Sequence, residues 1–143
     1  MFKDTDAKLT EMGAVITTRE IEQQPKLWSE VWDIYQRNLP KIDDFLDNIK
    51  QEFGHARVIF TGAGTSAFVG NTIMPYLSEH GDRKHFDFEA IDTTKIVSSP
   101  TNYLQADVPT ILVSFARSGN SPESVAAVEI AEKIVKNLFQ ITI

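Results

Sequence analysis

Two short apolar runs, each followed by a loop of small residues and then by a helical pattern, constrain this chain more than any other feature. The first run is Arg57 to Thr61, and it leads into Gly62-Ala63-Gly64-Thr65-Ser66. The second is Pro109 to Phe115, and it leads into Ala116-Arg117-Ser118-Gly119-Asn120-Ser121. Such runs are typical of strands buried on both faces of a parallel sheet. The repeated order of strand, loop and helix predicts an α/β fold.

The rest of the C-terminal part completes a sheet of four parallel strands joined by right-handed crossovers. We predict a helix over 67–80 that ends at Gly81 as C′ glycine, followed by a strand over 86–91 and a helical turn over 92–98. After the second loop, a helix starts with Ser121 as N-cap and Pro122 at its first position. A last strand follows over 138–143. No helix follows the last strand. We therefore expect a fold that is truncated after its fourth strand and a longer natural protein.

Residues 1–52 predict helices that precede the sheet. Thr17 and Glu20 have capping-box spacing, and Pro25 should end the short helix that they begin. Pro40 should break or kink the next helix. One face of that helix is apolar and carries Trp28, Val31, Trp32, Tyr35 and Leu39. This stripe packs either in a core or against another subunit. The expected division is a helical segment over 1–52 and a sheet domain over 53–143.

Composition excludes several classes of function. The chain of 143 residues has a formal net charge of −6, which argues against nonspecific nucleic-acid binding and against anionic membranes. It has no cysteine, so disulfides, thiolate metal sites and a cysteine nucleophile are ruled out. The start of the sequence lacks the apolar core of a signal peptide, and no apolar run is long enough to span a bilayer. We expect a cytoplasmic protein without a metal or a cofactor.

The two loops have the composition of a phosphate-binding site. The N–H groups of a helix's first turn lack internal partners, and the helix dipole adds partial positive charge there. One such end contributes about 0.3–1 kcal/mol, whereas micromolar affinity needs about 8 kcal/mol. Two converging ends with hydroxyl donors could supply part of the difference. Convergence requires the first and third strands to be neighbours, since ligands of open parallel sheets bind beyond the carboxyl ends of the strands.

Each loop also has a simpler interpretation. Either loop could be only a strand-to-helix turn with its cap. The segment from Gly62 to Ala67 also matches the dinucleotide-binding pattern G-x-G-x-x-A, which is a weak signal by itself. Asp92 follows the second predicted strand, where such a site needs an acidic residue for the ribose. That interpretation leaves the second loop unexplained.

The loops resemble the sugar isomerase (SIS) domain family of phosphosugar-binding proteins. The family marks are a G-T-S turn after the first strand and an S-G-x-[ST] turn after the third, here Gly64-Thr65-Ser66 and Ser118-Gly119-Asn120-Ser121. The segment from Glu20 to Pro25 is similar to the entry into the isomerase half of glutamine–fructose-6-phosphate transaminase. Thr18 to Trp28, together with both turns, is most similar to the tagatose-6-phosphate ketose/aldose isomerases, also described as galactosamine-6-phosphate deaminase-isomerases.

The resemblance implies a flavodoxin-like, three-layer α/β/α sandwich and a homo-oligomer, because members of this type carry two such domains and work as dimers or larger assemblies. It implies a sugar phosphate as ligand, held by Gly64, Thr65, Ser66, Ser118, Gly119, Asn120 and Ser121. Arg117 stands where relatives often have Gln, and it would contact sugar or phosphate. Ala116 stands where many relatives have Ser, so one hydroxyl of the phosphate cradle is missing.

The catalytic residues remain unassigned, because the family's acid/base Glu and His lie in later segments that this chain lacks. His55, His80 and His85 lie beside predicted element ends and are expected on the surface. Glu123 is either an N-terminal helix charge or a group near the sugar. The resemblance implies that this chain is the phosphosugar-binding portion of an aldose–ketose isomerase. The enzyme, with or without deamination, would act on tagatose 6-phosphate or galactosamine 6-phosphate. The portion by itself is expected to be inactive. The alternatives are a non-catalytic phosphosugar sensor and, less favoured, a dinucleotide-binding domain.

Overall fold

The computed structural model describes residues 2–143. The chain divides into two compact units, one that runs to Leu46 and one that starts at Asp47. The first unit contains α1 (Asp6–Glu11) and most of α2 (Val15–Phe53). The Thr5 hydroxyl caps α1 by accepting a hydrogen bond from the backbone N–H of Lys8 at 3.4 Å. Gly13, with φ of +66°, makes the turn between the two helices.

α2 is one continuous helix of 39 residues, with Pro25 and Pro40 inside it. The predicted end at Pro25 and the predicted break at Pro40 are therefore wrong. Thr17 and Glu20 also lie within the helix, so the capping-box prediction is wrong; the Glu20 carboxylate instead accepts a hydrogen bond from Gln23 Nε2 at 2.7 Å. A proline removes one backbone donor at a cost of about 3 kcal/mol. That penalty is local, and the turns on either side keep their own hydrogen bonds.

The aromatic stripe of α2 is exposed. The exposed fractions of Trp28, Val31 and Trp32 are 66%, 62% and 61%, and Tyr35 is also exposed. The rings of Trp32 and Tyr35 contact each other with centroids 5.6 Å apart. Of the two expected alternatives, packing in a core of this chain is therefore wrong for these four side chains, whereas Leu39 is half-buried.

The second unit contains a four-stranded, fully parallel sheet in the order β2-β1-β3-β4. Its strands are β1 (Ala56–Gly62), β2 (Phe86–Ala90), β3 (Thr110–Phe115) and β4 (Leu138–Thr142). The four predicted strands are confirmed to within one residue at each end. β1 and β3 are neighbours, as the site prediction requires, and Gly62 pairs with Phe115 at their carboxyl ends.

Helices cover both faces of this sheet. α3 (Ala67–His80) packs on one face, where Gly70 lies against Phe60. α4 (Thr93–Ser98), α5 (Pro100–Tyr103) and α6 (Pro122–Ile134) follow β2 and β3. The other face carries the main core cluster, which includes Ile59, Ile96, Leu112, Ala127 and Ala131. The flavodoxin-like α/β/α architecture is therefore confirmed.

Two local features differ from the prediction. α3 ends at His80 as expected, but Gly81 has φ of −76° and ψ of 178°, so it is not a left-handed C′ glycine. A β-carbon at Gly81 would lie 2.5 Å from the carbonyl oxygen of Leu77 and 2.7 Å from the ring of Phe88. Glycine is required there because the chain passes close to both groups. The one-turn helix α5 was not predicted.

One charged side chain is buried in the sheet. Arg57 of β1 is 6% exposed. Its Nε and Nη2 donate to the two carboxylate oxygens of Glu89 on β2, at 2.7 and 2.9 Å. This bidentate pair offsets much of the cost of burying the guanidinium group, although Nη1 has no hydrogen-bond partner. The pair joins two neighbouring strands and has a structural role.

Candidate functional site

Two loops leave the same edge of the sheet side by side, because β1 and β3 are parallel neighbours. The first loop follows Gly62 and enters α3. The second follows Phe115 and enters α6. In the strand order 2-1-3-4, the winding direction reverses between β1 and β3. Ligands of flavodoxin-like sheets bind at this switch point.

The first loop is shaped by close packing at Gly62. A β-carbon on Gly62 would lie 2.7 Å from the carbonyl carbon of Ser66 and 2.9 Å from the nitrogen of Ala67, so no larger residue fits without moving the backbone. Gly64 has φ of +54°, in the left-handed region that favours glycine. Residues Gly64–Ser66 then form a single 3-10 turn that continues into α3. This geometry places Ser66 at the entrance of the helix.

The second loop is shaped by Gly119, which has φ of +70°. The backbone N–H of Asn120 donates to the hydroxyl of Ser118 at 3.4 Å. Ser121 occupies the N-cap position of α6, as predicted, but its side chain makes no capping hydrogen bond. Its hydroxyl instead donates to Ser124 Oγ at 2.6 Å. Two serines of α6's first turn are thereby held together at the mouth of the loop.

A cleft of about 160 Å³ lies between the two loops. It is lined by Ala63, Ser66, Phe115, Ala116, Arg117, Ser118, Gly119, Ser121 and Ser124. Five of the eight residues predicted from the sequence meet here: Ser66, Arg117, Ser118, Gly119 and Ser121. The other three, Gly64, Thr65 and Asn120, are exposed loop residues that do not line the cleft.

The sequence reasoning missed Ser124. Its signal was the spacing of three residues from Ser121, which puts two side chains on the same face at the start of a helix. Ser124 adds a hydroxyl to a lining in which Ala116 lacks one. Ala63 also lines the cleft, but it offers no side-chain donor.

The cleft has a positive electrostatic character. Arg117 is the one charged side chain among the lining residues, and no carboxylate is among them. The first turns of α3 and α6 start at this edge, so the partial positive charge of the two helix N-termini adds to the charge of Arg117. Such a set of groups is suited to an anion that accepts several hydrogen bonds.

A hydrogen bond from α4, on the face of the sheet opposite to α3, fixes the end of β1. Thr93, which is buried at the start of α4, donates from its hydroxyl to the carbonyl oxygen of Gly62 at 3.2 Å. The preceding Asp92 forms an ion pair with Lys95 at 3.2 Å. The side chain that the dinucleotide interpretation assigned to a ribose thus has a cationic partner within its own helical turn.

The candidate acid/base groups lie elsewhere. His55 and His85 precede β1 and β2, at the opposite edge of the sheet from the loops, and His80 ends α3. Glu123 is exposed in the first turn of α6 and does not line the cleft. Within residues 2–143, no three His, Asp or Glu side chains gather as a set that could hold a metal ion. In the same part of the chain, no helix has the length and apolar character needed to cross a bilayer.

Comparisons with known proteins show which family the sheet domain belongs to. The model of the SIS domain matches residues 54–143. The chain is 43% identical over 136 residues to the D-galactosamine-6-phosphate deaminase AgaS of Shewanella sp. (strain ANA-3), a match that covers 95% of this chain and 35% of that protein.

Two solved structures are similar to the whole fold. One is a Clostridium novyi NT protein provisionally named tagatose-6-phosphate ketose/aldose isomerase, with 46% identity, a TM-score of 0.89 and coverage of 99% of this chain and 35% of that one. The other is the tagatose-6-phosphate ketose/aldose isomerase of Escherichia coli, with 39% identity, a TM-score of 0.78 and coverage of 88% and 33%. The chain thus spans about a third of the length of the proteins it matches, and it belongs to the SIS domain family.

Proposed function

We propose that this chain binds a phosphorylated sugar in the cleft between the β1 and β3 loops. It would be the phosphosugar-binding portion of an aldose–ketose isomerase, with or without deamination, in which residues 53–143 form the first SIS domain. The observation that carries this proposal is the lining of the cleft, which combines hydroxyls from both loops with a single arginine and contains no carboxylate.

The donors in the cleft match what a phosphate group accepts. Ser66 comes from the first loop, and Ser118, Ser121 and Ser124 come from the second loop and α6. Hydrogen bonds to a charged group contribute about 1.5–3 kcal/mol each. Several such bonds, with Arg117 and two helix ends, reach the roughly 8 kcal/mol that micromolar affinity requires. A loop that served only as a turn would not need hydroxyls that converge from two separate segments.

Ser124 accounts for the departure at Ala116. The position that is serine in many relatives carries a methyl group here, and Ser124, eight residues further along the chain in the first turn of α6, lines the same cleft. Its hydroxyl accepts a hydrogen bond from Ser121, so its own proton is free to be donated to a ligand. We assign Ser124 the role of replacing the missing hydroxyl.

The proposed substrates are tagatose 6-phosphate and galactosamine 6-phosphate. The names of the similar proteins support this choice. The role assigned to this chain is to bind and orient, because moving a proton between adjacent carbons needs an acid and a base. The lining residues include neither an imidazole nor a carboxylate. A phosphosugar sensor without catalysis would use the same cleft.

Calorimetric titration tests the binding proposal. Galactosamine 6-phosphate and tagatose 6-phosphate should bind, whereas unphosphorylated galactosamine and a nicotinamide dinucleotide should not. Tighter binding of the dinucleotide would refute the proposal.

The catalytic assignment needs a separate assay. Incubation of the chain with galactosamine 6-phosphate should release neither ammonia nor tagatose 6-phosphate, because the acid/base pair is proposed to lie outside these residues. Turnover by the chain alone would contradict this division of roles. A protein that contains this chain within the full length of its relatives should turn the substrate over; good binding without turnover there would favour the sensor.

A further inference from the structure

We propose that Thr93 is a positioning residue of the phosphosugar cleft: from α4, outside the cleft, it fixes the first loop and thereby the hydroxyl of Ser66. Thr93 does not line the cleft. It reaches the loop through the hydrogen bond of 3.2 Å from its hydroxyl to the carbonyl oxygen of Gly62. The inference rests on the proposed function, because the position of the loop matters for binding only if the phosphate lies in this cleft.

The bond from Thr93 continues the hydrogen-bond ladder between β1 and β2 beyond the end of β2. In a parallel ladder, every second residue of a strand bonds to a given neighbour. The backbone N–H of Ile91 donates to the carbonyl oxygen of Phe60 at 3.0 Å. The next carbonyl of β1 on this side is that of Gly62, and the next donor position after Ile91 is residue 93. At that position the hydroxyl of Thr93 supplies the donor that the ladder needs.

Burial makes this hydrogen bond a firm connection. Thr93 is 1% exposed, so water cannot take the place of its hydroxyl when the hydroxyl is removed. Ile96 of the same helix is fully buried in the main core cluster, together with Ile59 of β1 and Leu112 of β3. α4 is therefore held by the core, and Thr93 ties the end of β1 to that fixed helix.

Gly62 connects this fixed point to Ser66 by close backbone packing. A β-carbon on Gly62 would lie 2.7 Å from the carbonyl carbon of Ser66 and 2.9 Å from the nitrogen of Ala67, so the end of β1 and the entrance of α3 are in close contact. Ser66 lines the cleft. Hydrogen bonds weaken steeply with misalignment, so a shift of Gly62 that moves Ser66 weakens the bond that we assign to the phosphate.

Thr110 offers a matched control at the other edge of the sheet. It is as deeply buried as Thr93, with 0% of its surface exposed. Its hydroxyl donates to the carbonyl oxygen of Val108 at 2.9 Å, so replacement by valine removes the same kind of bond. Thr110 begins β3 and therefore lies at the end of that strand away from the loops. A loss of stability common to both variants can thus be separated from an effect on the cleft.

Calorimetric titration of the intact chain with galactosamine 6-phosphate tests the effect on binding. Thr93→Val should bind on the order of 10-fold more weakly than the wild type, the lower end of the cost of losing a hydrogen bond to a charged group. Thr93→Ser, which keeps the hydroxyl, and Thr110→Val should bind as the wild type does. If circular dichroism shows that the valine variant does not fold, Thr93→Ala removes the same hydroxyl and carries the same expectation. Wild-type affinity in a folded variant without the Thr93 hydroxyl, or an equal loss in Thr110→Val, would overturn the proposal.

Backbone amide NMR of the ligand-free chain separates the positioning role from the proposed function. Thr93→Val should shift the N–H signals of Ser66 and Ala67, Thr93→Ser should restore them, and Thr110→Val should leave them in place. These shifts in a chain whose wild type binds no sugar phosphate would refute the proposed function and support the position that Thr93 gives to the loop. Unchanged signals in Thr93→Val would overturn the inference even if the wild type binds the ligand.

Discussion

Replacing Gly62 by alanine should separate the geometry of the first loop from the general stability of the sheet. The added β-carbon would lie 2.7 Å from the carbonyl carbon and 2.8 Å from the carbonyl oxygen of Ser66, and 2.9 Å from the nitrogen of Ala67. These three atoms belong to the backbone, so no side-chain rotation can relieve the contact. The entrance of α3 must move, and Ser66 must move with it.

The expected magnitudes follow from that displacement. Overpacking at a buried position costs typically 1–3 kcal/mol of unfolding free energy. If Ser66 then loses its hydrogen bond to the ligand phosphate, binding weakens by a further 1.5–3 kcal/mol, or about 10- to 150-fold in Kd. Urea unfolding measures the first quantity. Calorimetric titration with galactosamine 6-phosphate measures the second, provided that the circular dichroism spectrum shows the variant to be folded.

Gly70→Ala provides the matched control. A β-carbon at Gly70 would lie 2.7 Å from the β-carbon of Phe60, which is an equally close contact but away from the cleft. This variant should lose stability and keep its affinity for the ligand. The reasoning is refuted if Gly62→Ala binds as tightly as the wild type, or if Gly70→Ala loses as much affinity as Gly62→Ala.

Three further predictions concern single side chains. Ser66→Ala and Ser118→Ala should each weaken phosphosugar binding by about 1–3 kcal/mol in a titration, and unchanged affinity in both would remove them from the site. Glu89→Gln should lower the unfolding free energy in urea by about 1–3 kcal/mol, because Arg57 stays buried without its counter-charge while position 89 is partly in water; an unchanged midpoint would contradict this. His85 bonds to Asp82 and holds the pKa of that carboxyl below its ordinary value of 3.8, so the stabilisation present above that value is lost as the pH falls through the lowered pKa. Asp82→Asn should therefore flatten the loss of stability as the pH falls below the ordinary carboxyl pKa of 3.8, and an identical acid-unfolding profile would argue against the pair.

The sheet could be predicted from the sequence because its strands are defined by local composition. β1 is buried along its whole length, so it stands out as a short apolar run that ends in glycine. β3 is almost as fully buried and ends in a polar loop. The register and the order of the strands are set by packing between distant segments. That β1 and β3 are neighbours in the sheet could therefore only be assumed from the sequence.

The N-terminal helix could not be predicted well from local signals. Thr17 and Glu20 match a capping box, and Pro25 and Pro40 match helix breakers, yet all four lie inside α2. Each signal measures a local preference of about 1–3 kcal/mol. Whether a 39-residue helix stays continuous depends on the free energy summed over all its turns, and one local preference is a small part of that sum. The exposure of its apolar stripe could not be predicted from the periodic spacing either, because apolar residues have the same spacing on a helix that packs in a core and on one that forms an interface.

For the candidate site, composition identified the loops but not the contributions of individual residues. Ser66, Ser118 and Ser121 line the cleft together, whereas Thr65 and Asn120 do not. A loop of three to six residues can direct each side chain either way, and each of the two loops contains one glycine in the left-handed region, Gly64 or Gly119. Ser124 could not be identified in this way, because it belongs to a helix and not to the loop of small residues.

Backbone amide NMR during a titration with galactosamine 6-phosphate tests the central claim most directly. Our account predicts that the N–H signals of both loops, residues 64–66 and 118–121, shift together and saturate at the same ligand concentration, with Ser124 among them. Galactosamine without phosphate should leave these signals unchanged at the same concentration. Shifts confined to one loop, or the same shifts with the unphosphorylated sugar, would contradict a phosphate held between the two loops.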